Sequence, residues 1–134
     1  MAMPTPRLTE DTRAFWQGGR EGRLNIMRCQ DCGWWFHPPS PRCPSCFGEN
    51  VEARPAAGRG HIYSFTINRR VWEPGLAVPY VIAIVELDEQ PGLRLLANVV
   101  DCDLDEVAIG KRVEVGFIER GQVHLPVFRL ASHD

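Results

Sequence analysis

Four of the five cysteines fall into two pairs, Cys29-x-x-Cys32 and Cys43-x-x-Cys46, with ten residues between them. A two-residue gap lets both sulfurs of one turn aim at a single ion. A second such turn, brought back by a short hairpin, completes a tetrahedron. The surrounding residues suit that geometry. Gly33 follows the first pair and Gly48 lies just past the second, each offering a left-handed turn position. Pro44 pre-sets a turn dihedral, and His37-Pro38-Pro39-Ser40-Pro41 bars helix and forces an extended return path. The reading is one structural Zn²⁺ held by Cys29, Cys32, Cys43 and Cys46. Four thiolates leave no open coordination position, so the metal folds the module and does not catalyse. Two disulfides would need an oxidising compartment, for which nothing in the sequence speaks. A thioredoxin-like redox site would need a βαβ setting, which is absent. His37 then reads as an ordinary loop histidine.

The rest of the chain assembles no reaction centre. Its serines lack a Gly-x-Ser-x-Gly elbow, and neither glycine-rich phosphate loop is present. Lys111 is the only lysine. His61 and His124 fall in strand-like segments, where histidines are packed or solvated, and His133 lies in a tail. Glu86-Leu87-Asp88-Glu89 ends a strand at a turn, which solvation explains. Cys102 stands between Asp101 and Asp103, whose carboxylates raise a thiol pKa and blunt its reactivity. The expectation is a non-catalytic protein.

Composition narrows the class further. The chain has 134 residues, 44% of them apolar and 24% charged, enough for the core of a soluble domain. Its longest apolar run, Val78–Val85, is far shorter than a membrane span, and Met1–Leu8 has no signal-type apolar core. The expected address is the cytoplasm. A net charge of −2 weighs against a general nucleic-acid binder, which carries a basic footprint. Charge is unevenly placed, however. Arg54, Arg59, Arg69 and Arg70 gather in 51–72, whereas 86–106 is acidic. That local basic stripe suits phosphates or an acidic partner.

These residues need elements to hold them. Thr9, followed by Glu10 and Asp11, predicts a helix start, running towards Leu24 but weakened by Gly18, Gly19 and Gly22, so that a short or broken helix is expected. Phe15 and Trp16 are its bulky residues, and with Trp34, Trp35 and Phe36 they fill a small core or offer an adhesive surface. From Gly58 the pattern becomes strands. Gly60–Val71 predicts a long one, with His61, Tyr63, Phe65 and Ile67 on one face. Trp72–Pro79 reads as a loop, Tyr80–Leu87 as a strand apolar on both faces, and Leu93–Val100 as its return. A capped helical turn ends near Gly110, and Arg112–Glu119 with Val123–Leu130 forms a last hairpin. Five strands with a helical piece between the third and fourth predict an OB-fold barrel. The chain then divides into a helix and zinc ribbon at 1–50 and an OB-fold at 51–134.

The combination resembles the DUF35 family, small proteins with a rubredoxin-like zinc ribbon followed by an OB-fold. The carriers are Phe15-Trp16 through Arg23-Leu24, Arg28-Cys29-Gln30-Asp31-Cys32-Gly33, and Cys43-Pro44-Ser45-Cys46. Tyr63-Ser64-Phe65-Thr66-Ile67, Pro79 through Leu87, and Asn98-Val99-Val100 through Ile109-Gly110 are also similar. The resemblance implies a non-catalytic companion of thiolase-like enzymes, found with thiolases, acyltransferases, and steroid side-chain aldolases and hydratases. It implies association with acyl-CoA. Two positions depart from the family: Phe47 stands where glycine is common, and Arg69 where histidine is frequent before the arginine matching Arg70. The expectation is an accessory subunit whose ribbon and helix dock on a thiolase-fold enzyme, while the barrel walls a CoA-thioester channel. Arg69, Arg70, Phe15 and Trp16 are its candidate CoA- or partner-binding residues. The alternative is a single-stranded nucleic-acid module, with Tyr63 and Phe65 as stacking platforms.

Overall fold

Glycines cut the N-terminal helix short. In the computed structural model of the chain, which describes residues 6–71 and 77–131, helix α1 spans only Arg13–Gln17. It tightens into a 3-10 turn at Gly18–Glu21. Thr12, not Thr9, is the residue before the helix, and the two threonine hydroxyls bond each other at 2.9 Å. The glycines also have a packing role. A Cβ on Gly19 would lie 2.5 Å from both His124 Cβ and Phe117 Cδ1, so this turn rests directly on the barrel. Residues 1–5, residues 72–76 of the expected loop Trp72–Pro79, and His133 lie outside the described residues.

Three strands make the ribbon: β1 (Leu24–Cys29), β2 (Trp35–Phe36) and β3 (Val51–Ala56). They form one antiparallel sheet in the order β2-β1-β3. The strand at 51–56 thus hydrogen-bonds to the ribbon sheet. Pro55 lies on this edge strand, where the missing N–H breaks no central ladder.

The remaining strands are β4 (Arg59–Asn68), β5 (Tyr80–Leu87), β6 (Arg94–Val99), β7 (Arg112–Arg120) and β8 (Val123–Leu130). They close into a barrel in the order β4-β5-β6-β8-β7, with β6 and β8 parallel. A 3-10 turn, Leu104–Glu106, separates β6 from β7, and Asp103 precedes it as N-cap. This is the expected OB-fold.

Two features of β4 differ from expectation. It ends at Asn68 instead of Val71, and a bulge at Tyr63 breaks its alternation. Ile62 pairs with Val85, whereas Ser64 pairs with Ile84, so one residue is added on β4 alone. Ile62 is therefore buried together with Phe65 and Ile67, not opposite them. Strand β5 alternates more cleanly than predicted. Val81, Ala83, Val85 and Leu87 point inward, and the residues between them are half-buried. Leu24 and Ile26 of the ribbon join Phe15 and the inward residues of the barrel in one continuous core.

Candidate functional site

The two Cys-x-x-Cys turns lie beside each other at the end of the ribbon. All four sulfurs are within 4.8 Å of one another, and Cys29–Cys46 and Cys32–Cys43 are each 3.6 Å apart. A tetrahedral Zn²⁺ with four Zn–S bonds separates its sulfurs by about 3.8 Å, so the cluster fits this ion. Cys29 and Cys43 are buried, while Cys32 and Cys46 reach solvent. Backbone N–H groups prepare the inner pair for negative charge. Cys32 donates to Cys29 Sγ at 3.5 Å, and Ser45 and Cys46 donate to Cys43 Sγ at 3.3 and 3.4 Å.

The thiols share their protons unequally. The N–H of Cys32 draws the Cys29 pKa down. Burial works to raise that of Cys43, but the N–H groups of Cys46 and Ser45 and the neighbouring thiols bring it to about 7. Cys32 receives help from the Trp34 N–H, yet burial and the three other thiols push it up to about 12. Without a cation the four sulfurs cannot all ionise together. A divalent metal removes that conflict, and these four cysteines are the residues that would hold it.

The turns are near copies of each other. Gly33 N–H donates to Cys29 O and Phe47 N–H to Cys43 O, both at 2.9 Å. Cys29 N–H donates to Trp34 O and Cys43 N–H to Gly48 O, again at 2.9 Å. The left-handed residue is Gly33 in the first turn (φ 80°) but Phe47 in the second (φ 63°), not Gly48 as expected.

The acidic turn after β5 joins ribbon to barrel, which corrects the expectation that solvation accounts for it. Gln90 Nε2 donates to Trp35 O at 2.8 Å, and Trp35 N–H donates to Gln90 Oε1 at 3.0 Å. Glu89 Oε2 accepts the Ala57 N–H at 2.6 Å, where the chain passes from one module to the other. The Arg94 guanidinium, donating to Glu86 at 3.0 Å, holds that carboxyl below its ordinary pKa. Arg112 does the same for Asp88 through two bonds, at 2.8 and 2.5 Å. Gln90→Ala leaves both Trp35 backbone groups without this partner. It is expected to lower stability by about 1–3 kcal/mol in urea unfolding, and a change within error would show that water replaces the clasp.

Phe15 and Trp16 meet edge to face at 4.7 Å, but their surroundings differ. Phe15 is buried in the core, and Trp16 packs against it from the half-exposed side. Both line an apolar groove of about 360 Å³, whose other walls include Tyr80, Ile82, Leu96 and Pro126. The groove follows from the barrel's weakest seam. Strands β6 and β8 pair only at Asn98–Val127 and Val99–Phe128. Pro126 has no N–H with which to continue the ladder. Helix α1 lies across this opening, with Gln17 Nε2 donating to Gln122 O at 3.2 Å. Leu96, 68% exposed, stands on its rim.

Arg69 and Arg70 are exposed and follow Asn68, the β4 residue that pairs with Tyr80 of the groove wall. The basic pair thus sits one and two residues beyond the groove's first rung. Cys102 is half-buried beside the core, and burial, then Glu106, Asp103 and Asp101, raise its pKa. Leu96 and Gln90 carried no sequence signal of their roles, since each depends on a partner distant in sequence.

Residues 16–52 match the family described as "ChsH2, rubredoxin-like zinc ribbon domain", and residues 53–117 match "ChsH2, C-terminal OB-fold domain". A DUF35 domain-containing scaffold protein of Methanothermobacter thermautotrophicus is 37% identical over 112 residues, 82% of this chain and 83% of the relative. The chain belongs to the DUF35 family. A solved structure described as Ltp2-ChsH2(DUF35) aldolase superposes with TM-score 0.84 at 35% identity, covering 94% of this DUF35 chain and 98% of that one. A probable enoyl-CoA hydratase alpha subunit of Thermomonospora curvata is 36% identical over 96% of this chain. The chain spans only 40% of that subunit's length. A benzoylsuccinyl-CoA thiolase subunit of Thauera aromatica is 38% identical over 80 residues, 60% of this chain and 54% of the subunit. The relatives of this DUF35 protein are thus scaffold proteins and subunits of acyl-CoA enzymes. Among the described residues, no helix is long and apolar enough to cross a membrane.

Proposed function

We propose that this DUF35 protein is a non-catalytic accessory subunit, which docks on a thiolase-like enzyme in the cytoplasm and helps to bind or present a CoA-thioester substrate. One observation carries the reading: an apolar groove walled by Trp16, Tyr80 and Leu96 lies at the end of the strand rung after which Arg69 and Arg70 follow. A CoA thioester has the matching polarity, with an apolar acyl group at one end and phosphates at the other. Paired guanidinium groups suit those phosphates. The hydratase, thiolase and aldolase subunits among the relatives support the same substrate class.

The test is calorimetry with acetyl-, hexanoyl- and phenylacetyl-CoA, alone and with a thiolase-like subunit present. Arg69→Ala with Arg70→Ala is expected to weaken binding about tenfold or more, the size of charge-assisted contacts. Unchanged affinity would remove the pair from the site. The single-stranded nucleic-acid reading has lost part of its support. The Tyr63 ring is covered by the Arg94 guanidinium at 3.7 Å, and Arg94 is itself paired with Glu86. Phe65 faces the core.

A further inference from the structure

Each zinc knuckle carries one glycine and one aromatic residue, in opposite order. The first has Gly33-Trp34, and the second has Phe47-Gly48. Their backbone hydrogen bonds correspond one to one. In the first knuckle glycine takes the left-handed position, which any side chain occupies at a cost. The second places a phenylalanine there, although glycine solves the same backbone problem in the same molecule. Phe47 repays that strain with no burial, since it is 70% exposed. Its backbone is nonetheless firmly held. Its N–H donates to Cys43 O, and Arg42 Nη1 donates to its carbonyl at 3.1 Å.

Strain kept at an exposed apolar residue on a fixed backbone is a sign of use outside the fold. We propose that Phe47 is the anchor by which the ribbon seats in an uncharged apolar pocket of the thiolase-like partner; this rests on the docking reading given above. The surroundings fix the chemistry of that pocket. Arg42 is paired with Glu49 at 2.5 Å, and Asp31 accepts from Asn50 at 3.0 Å. The polar groups of the rim therefore answer one another. An aromatic side chain on a fixed backbone has only two rotatable bonds to order on docking, and such residues are enriched at interfaces.

The experiment uses the zinc-loaded full chain with Ltp2, the protein named with ChsH2(DUF35) in the matching structure. Affinity is measured by interferometry for the wild type, Phe47→Gly and Phe47→Leu, with thermal midpoints recorded in parallel. Phe47→Gly is expected to melt at or above the wild-type temperature yet bind about 30-fold more weakly, as loss of a central anchor does. Phe47→Leu, which keeps apolar bulk, is expected to stay within about threefold of wild type. Equal binding by Phe47→Gly and wild type would overturn the anchor while leaving docking intact. If the wild type binds neither Ltp2 nor a thiolase subunit from its own host, the docking reading itself falls. A wild type that self-associates through Phe47, monomeric only as Phe47→Gly, would also overturn the proposal, because the pocket would then belong to a second copy.

Discussion

Cys43→Ser protein, purified under reducing conditions, is expected to hold well under one zinc per chain and to lose the folded ribbon. Cys43 is buried, accepts from two backbone donors and has the Cys32 sulfur at 3.6 Å. Serine offers a poor ligand there, and the three remaining thiols repel one another once ionised. Binding energies of structural zinc are about 10–16 kcal/mol in zinc-finger peptides, and this is folding energy where no site exists in the unfolded chain. Apart from the core it shares with the barrel and the Gln90 clasp, the ribbon has little of its own to hold it, because its sheet has three short strands and β2 only two residues. Metal analysis gives the stoichiometry, and amide NMR shows whether residues 24–56 lose their dispersed signals. Chelation of the wild-type protein should reproduce the effect, more readily in acid, because protons compete for the thiolates. A variant with one full zinc and an unchanged spectrum would show that the metal does not organise this module.

The zinc site was legible because its signal is local. Two Cys-x-x-Cys turns declare themselves through spacing alone, and only which residue takes the left-handed position was misassigned. Gly48 was the natural choice, yet the backbone places Phe47 there, at the position equivalent to Gly33. The barrel was legible through short apolar runs and turn residues, as in Tyr80–Leu87 and the hairpin between β7 and β8. A bulge at Tyr63 is different in kind. It changes the phase of β4 without leaving a glycine or proline behind, so the side chain expected beside Phe65 lies out of register with it. The helix is short and broken, as its glycines suggested, but they had been read only for their conformational cost. Gly19 is instead required by a contact with Phe117 and His124, about a hundred residues downstream. The clasp through Gln90 and the groove at the β6–β8 seam share that property. Each is created by bringing distant segments together, and neither residue type announces it.

Those long-range contacts make the two modules one physical unit, which an Ile26→Ala substitution is expected to show. Ile26 lies on β1, in the ribbon, between the paired strands β2 and β3. Its side chain has no solvent exposure and belongs to the same core as the barrel residues Leu87, Leu93 and Val113. Truncation removes apolar contacts and leaves a space that strands on both sides cannot close, because each is fixed by its own ladder. Such changes cost about 2–5 kcal/mol, a large share of the stability of a domain this size. The informative outcome is how the loss is distributed. With Gln90 bonded to Trp35 and Glu89 to Ala57 beside the shared core, zinc-loaded protein should unfold in one transition. Fluorescence from Trp34 and Trp35 of the ribbon, read in a background with Trp16→Phe and Trp72→Phe, and circular dichroism, dominated by the barrel strands, should then report the same midpoint, lowered equally by Ile26→Ala. If the barrel midpoint stays at its wild-type value while the ribbon alone is destabilised, the shared core contributes no coupling. In that case the orientation of ribbon to barrel, and so the relation of Phe47 to the groove, would rest on the clasp alone.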